Sequence, residues 1–186
     1  MKARFRWYLL CEDREQERFF KRLGRTFLKS EPVDILIAPS GEGAAWGWVL
    51  KRYPKYIKQL RRHPGENLAL IVVVDGDNEG YKTRKHRFDD ELNTLGLTPR
   101  INDERVAICV PTWSIETWVA WLCRWHPPSG VVDEGRSLKT EVAHAIAKQS
   151  VDVSRSVAAW SEPSPEDSAR VPSLEDGRQE MKRVRS

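Results

Sequence analysis

Between Leu68 and Val74 the chain reads LALIVVV, a run without a polar member. A strand lying half in water alternates apolar and polar residues, because successive side chains point to opposite faces. A run with no polar face must be covered on both sides, and a parallel sheet flanked by helices supplies that cover. Further short apolar runs frame it: Arg6–Cys11 (RWYLLC), Val33–Ala38 (VDILIA) and Val106–Val110 (VAICV). The segments between them carry apolar residues at helical spacing. These are Phe20, Leu23 and Phe27; then Trp46, Val49, Leu50, Tyr53, Ile57 and Leu60; then Tyr81, Phe88, Leu92 and Leu95. A fourth stripe, Ile115, Trp118, Val119 and Leu122, follows the last strand. This alternation predicts an α/β, Rossmann-like fold with a central, mostly parallel four-stranded sheet and helices on both faces.

Asp13 is placed to cap the first helix, with Gln16 returning a hydrogen bond. Pro54 is expected to break or bend the second helix. The strand–helix pattern ends near residue 125, so residues 1–125 form the expected catalytic core and 126–186 a small helical C-terminal extension packed on it. Within the extension HPPSG reads as a linker, Leu138, Val142, Ala145 and Ile146 as a helix opened by Ser137, the region near 161–171 as a polar loop, and Pro172–Arg185 as a short amphipathic helix. No apolar run approaches the roughly 20 residues that a membrane helix needs. The basic and then apolar N-terminus reads as a first strand rather than a signal peptide, because Glu12 and Asp13 follow a short apolar stretch directly. Cys11, Cys109 and Cys123 show no paired spacing, which predicts reduced, buried thiols and a cytoplasmic location.

The acids are what such a sheet has to explain. In open parallel sheets functional residues gather at the carboxyl ends of the strands. Glu12 falls at the end of the first strand, Asp75 and Asp77 at the end of the third, and Glu116 just past the fourth, with Glu79 close behind the DGD triplet. Crowded carboxylates raise one another's pKa unless a cation neutralises them. Hard oxygen donors of this kind suit Mg²⁺ or Mn²⁺, as one ion or two about 3.5–4 Å apart. Gly76 leaves room for a tight turn between the aspartates, and Gly80 for the start of the next helix.

LLCEDREQERFF and LIVVVDGDNEG resemble the Toprim domain, the metal-dependent catalytic module of topoisomerases, bacterial primases and overcoming-lysogenisation-defect nucleases. Its signature is a glutamate after the first strand and a DxD after the third, matched here by Glu12, Asp75 and Asp77. VPTWSIETWVAWL resembles the IETW element of small Toprim-like nucleases, which makes Glu116 a further metal ligand. SLKTEVAHAIA resembles their lysine-bearing helix, which makes Lys139 a catalytic phosphate contact or charge stabiliser. Many Toprim domains carry a glycine beside the first glutamate. Asp13 stands there instead, a departure that fits the nuclease branch. The resemblance implies a Mg²⁺-dependent nuclease acting on DNA or RNA. SGEGAAWGW lacks the GK[ST] of a P-loop, so the resemblance also implies a separate ATPase partner, in an antiviral defence setting.

The formal net charge is +4. The KTRKHR run follows the DGD triplet directly, so Lys82, Arg84, Lys85 and Arg87 are the expected nucleic-acid contacts. Arg61-Arg62-His63 forms a second basic patch, and His86 is a candidate proton donor. The Ser40-Gly41-Glu42-Gly43 loop could approach a phosphate. The eight tryptophans are expected to serve core or interface packing rather than base stacking, and the four histidines share no zinc-ligand spacing. Two alternatives use the same residues. One is a non-catalytic module that binds a partner or nucleic acid. The other is a DxD phosphatase of the haloacid-dehalogenase type or a receiver domain, with Asp75 as phospho-acceptor.

Overall fold

A computed structural model of the chain describes residues 5–40, 45–128 and 130–185. Strand β1 (Arg6–Cys11) leads into helix α1 (Arg14–Phe27), β2 (Pro32–Ile37) into α2 (Ala45–Arg62), and β3 (Leu68–Val73) through a short 3-10 turn at Asp77–Glu79 into α3 (Gly80–Thr94). Strand β4 (Val106–Cys109) and α4 (Ile115–Leu122) follow, and then α5 (Lys139–Ala147), α6 (Val153–Ala159), α7 (Asp167–Arg170) and α8 (Pro172–Arg185). The strands form one all-parallel sheet in the order β2-β1-β3-β4.

The two-faced burial read from LALIVVV is what the sheet displays. Trp7, Leu9, Cys11, Ala69, Ile71 and Val73 point into one core, with α1, α4 and the C-terminal helices. Tyr8, Leu10, Leu70, Val72 and Val74 point into the other, with α2 and α3. Residues of the C-terminal segment, including Leu138, Val142, Val157, Trp160, Leu174 and Met181, are buried in the first core, so these helices complete one face of the sheet. Helix α8 also covers the open edge of β4. Glu180 accepts the outward N–H of Ile108 at 2.9 Å, and Arg100 donates to the Val106 carbonyl at 2.9 Å. Buried strand-edge groups are thereby paired rather than orphaned.

Several expectations change. Helix α2 runs unbroken through Pro54, which is itself buried. The bond its ring removes costs about 3 kcal/mol, and burial of Val49, Tyr53 and Ile57 on the same helix offsets it. Leu95 is 51% exposed, because α3 ends at Thr94 and Gly96 turns the chain at φ 67°; Leu97 packs against the core in its place. Helix α6 arises where no helix was expected, opened by Asp152, whose side chain accepts from Ser154 N–H. No described helix is long and apolar enough to cross a membrane. The three cysteines are free and buried.

Candidate active site at the strand ends

After β1 the chain turns into α1 on one face of the sheet, and after β3 it passes into α3 on the other. The connections diverge between neighbouring strands, which opens a crevice at their carboxyl ends. Glu12 and Asp75 stand at its two lips. Glu12 Oε1 accepts the backbone N–H of Asp75 at 2.7 Å, which joins residues from separate strands on one rim.

The turn after β3 explains the DGD triplet. Gly76 N–H bonds to the Pro111 carbonyl at 2.8 Å and Asp77 N–H to the Trp113 carbonyl at 3.4 Å, tying the turn to the loop that carries Glu116. A Cβ on Gly76 would lie 2.4 Å from the Thr112 carbonyl oxygen, so only glycine permits this approach. Gly80, at φ 75° and ψ 162°, adopts backbone angles reserved for glycine where α3 begins.

Asp75 is 4% exposed. Its Oδ1 accepts from Gln16 Nε2 at 2.8 Å, and its Oδ2 lies 3.5 Å from Lys139 Nζ. Burial pushes its carboxyl up to about 7, against the pull of Lys139 and Gln16. Burial, followed by repulsion from Asp75, pushes Glu12 up to about 8, opposed by the Asp75 N–H. Glu116 is 4% exposed, is raised by burial, and its Oε2 has no hydrogen-bond partner. Lys139, at the start of α5, also lies 3.8 Å from Asp13. Burial disfavours its charge, but Asp75, Glu116 and Asp13 together hold the ammonium above its ordinary pKa. Glu12, Asp75, Glu116 and Lys139 thus share one electrostatic neighbourhood.

Asp77 and Glu79 belong to a second group. Both are exposed. Asp77 Oδ2 lies 3.5 Å from Arg84 Nη2, and Glu79 Oε1 3.4 Å from Arg84 Nη1. Arg84 is 3% exposed under the Trp46 ring at 4.2 Å, and its Nε and Nη1 make no hydrogen bond. The basic run therefore does not act as one patch. Arg84 turns inward, Arg87 pairs with Glu79 at 3.4 Å, Lys82 lies against Tyr81, and Lys85 binds Asp176 at 2.9 Å and Glu180 at 2.8 Å on α8. His86 is exposed on α3. Arg61 pairs with Glu104 and bonds the Pro99 carbonyl, away from the rim. Gly41, Glu42 and Gly43 lie outside the described residues.

Among the described residues no three carboxylate, imidazole or thiol side chains close on one point to enclose an ion. The donor chemistry nevertheless fits a hard divalent cation. Glu12, Asp75 and Glu116 supply oxygens, two of them with pKa values pushed far above the usual range, and Glu116 Oε2 is a buried acceptor with nothing to accept. Gln16 is the residue that sequence reading missed. Its position three residues after Asp13 predicts only a capping role, and its Oε1 does accept a backbone N–H, that of Glu12 at 2.9 Å. Its other end orients Asp75, a contact no local pattern encodes.

Compared with known proteins, the chain matches no family model, no curated protein and no solved structure. The class defined by fold and site is that of open parallel α/β proteins with buried carboxylates at the topological switch point.

Proposed function

We propose that the chain is a Mg²⁺- or Mn²⁺-dependent nuclease subunit of Toprim type that hydrolyses phosphodiester bonds in DNA or RNA. The observation that carries this reading is the meeting of a half-buried Glu12 with a buried Asp75, both raised, beside a Glu116 oxygen without a partner. Paired carboxylates held out of water at this cost are unusual unless a cation is to be bound. Glu12, Asp75 and Glu116 would hold the ion, with Asp77 and Glu79 within the same turn. A divalent ion bound there would polarise the phosphate and ease deprotonation of an attacking water. Gln16 keeps Asp75 oriented, and Lys139 offsets negative charge gathering on the phosphate oxygens.

A specific observation favours control by a partner. Lys139 lies 3.5 Å from Asp75, and Asp77 is turned toward Arg84, so two of the rim acids already face cations of the chain itself, while Glu12 and Glu116 make no ion pair among the described residues. A separate ATPase subunit, as in a defence system, would release these contacts. Without that release the chain reduces to a partner-binding module.

Plasmid nicking with Mg²⁺ or Mn²⁺, with and without a co-purifying subunit, tests the reading. Glu12→Gln and Asp75→Asn should each lower the rate at least about 100-fold. Paramagnetic Mn²⁺ should broaden the NMR signals of Glu12, Asp75 and Glu116 whether or not the isolated chain cleaves. Full activity in Glu12→Gln, or Mn²⁺ that leaves these signals sharp, would refute it.

A further inference from the structure

Helix α1 carries Arg14, Arg18, Lys21, Arg22 and Arg25 at spacings of three and four, which stack side chains into one stripe. Phe19, Phe20 and Leu23 occupy the buried side, so the stripe faces outward. Five cations on α1 stand against two carboxylates, Glu15 and Glu17, whereas α3 sets four cations against Asp89, Asp90 and Glu91. The helix with the more obvious basic run in sequence is thus the less positive of the two.

The stripe forms one wall of an open groove. Arg18, Lys21, Arg22 and Arg25 line it from α1, and the corner between α5 and α6 lines the other side. Exposed Lys148 and Arg155 sit on that corner. Asp152 is the carboxylate of the lining, and it is already engaged. Its oxygen caps α6 through Ser154 N–H at 2.7 Å, and after that bond the nearby Arg22 and Arg155 hold its carboxyl below the ordinary value. Arg22 has no ion-pair partner among the described residues. The pairs on this face are Arg14–Glu17, Arg18–Glu15, Lys21–Glu17 and Arg25–Glu31; their cations are exposed or half-exposed, although Glu17 itself is 14% exposed. Pairs with an exposed cation contribute little, so little is lost when the cation turns to a phosphate. Lys85, by contrast, is committed to two carboxylates of α8.

The stripe on α1 also reaches the rim. Asp13 caps the N-terminus of α1 and lies beside Lys139, so the stripe starts at the carboxylates and runs the length of the helix, about 21 Å at 1.5 Å per residue. We propose that the phosphate backbone of a nucleic acid lies along this groove between α1 and the α5–α6 corner as it leaves the acidic rim, and that the basic run on α3 is not its main contact. The proposal rests on the nuclease reading for its ligand class and adds the surface that receives it.

Fluorescence anisotropy of a labelled 20-base-pair duplex with the full chain in EDTA separates binding from hydrolysis. Arg18→Gln/Arg22→Gln/Arg25→Gln should weaken binding at least about tenfold and lower the slope of log K against log salt by about 2–3. Lys82→Gln/Arg87→Gln should change affinity by less than about threefold. The reverse pattern, unchanged binding by the triple variant, or no binding by the parent chain at low salt would overturn the proposal. So would a triple variant that keeps nucleic acid and loses an acidic protein partner. If the triple variant loses binding while Mn²⁺ leaves Glu12, Asp75 and Glu116 unperturbed, the groove stands and the nuclease reading falls. If Mn²⁺ perturbs them and the triple variant still binds, the opposite holds.

Discussion

Two groups of buried and half-buried carboxylates among the described residues can be set side by side, because burial acts on them alike while their surroundings act oppositely. On α8, burial raises Glu180, but Arg100, Lys85 and the Ile108 N–H more than reverse it, leaving its carboxyl below the ordinary value. Asp167 follows the same rule, with Ser164 N–H, Arg178 and Trp121 Nε1 outweighing burial. At the strand ends the half-buried Glu12 and the buried Asp75 have fewer compensating donors, and the buried Glu116 has an oxygen without a partner, so all three stay raised. Burial alone therefore does not mark a functional acid. A deficit of partners distinguishes the strand-end acids from Glu180 and Asp167, and a bound cation would fill it.

The sharpest way to break this contrast is to give α8 the same deficit. Glu180→Ala leaves Arg100 and Lys85 without their shared carboxylate and the β4 edge amide of Ile108 unpaired. Removing one member of a buried ionic group costs about 3–5 kcal/mol, read as a fall in the urea midpoint. The pH dependence follows from the lowered pKa. The contribution of Glu180 is present above the ordinary glutamate value and is lost as pH falls through the folded value. A loss below about 1 kcal/mol at pH 7 would show that this network is not structural.

Removing a rim carboxylate should do the reverse. The folded pKa of Glu12, about 8, lies above the ordinary 4.5, so the folded chain retains a proton that the unfolded chain gives up. That favours the fold fully below about 4.5 and is lost as pH rises through 8. Glu12→Gln abolishes the titration. In EDTA at pH 8.5 the variant should be more stable than the parent by roughly 1–3 kcal/mol, a figure reduced for its partial exposure, and the gain should vanish at pH 4. Mg²⁺ should stabilise the parent and not the variant. A variant less stable than the parent at pH 8.5 would place Glu12 with Glu180.

Gln16 links the two behaviours, since it gives Asp75 one of the few bonds the rim supplies. Gln16→Leu should cost about 1–2 kcal/mol through the unmet Asp75 oxygen and Glu12 amide. It should also raise Asp75 above about 7, because the lost bond favours the charged form. Carbon-detected titration of the carboxyl reads the shift directly, and an unmoved Asp75 would reduce Gln16 to a helix cap.

What the sequence disclosed divides along the same physical line. LALIVVV announced a strand buried on both faces because burial is a property of the run itself. Glu12, Asp75 and Glu116 could be placed on one edge because parallel strands send their ends the same way. Contacts between distant segments were not legible. Lys85 finds Asp176 and Glu180 on a helix that closes the sheet late in the chain, and Arg84, one residue earlier and about 100° around the helix, turns under Trp46. A run such as KTRKHR looks uniform in sequence, while its helix sends neighbouring charges to different partners. Helix α6 leaves no periodic signal in the sequence because its seven residues, VSRSVAA, carry too short a stripe to show a period.

The basic run offers the finest test, because it contains both kinds of charge on one helix. Arg87 meets Glu79 with its side chain 52% exposed, in a pair open to water and salt. Arg87→Gln should cost about 0.2–1 kcal/mol at low salt and less at high salt. Lys85→Gln removes a side chain 20% exposed that contacts two carboxylates, one of them the buried Glu180, so its cost should exceed that of Arg87→Gln and persist in high salt. Paired urea denaturations at 50 mM and 1 M NaCl separate the two. Equal losses that fade together with salt would show that Lys85 is as loosely held as Arg87. It would then be free to serve nucleic acid, and the division of α3 between structure and surface would disappear.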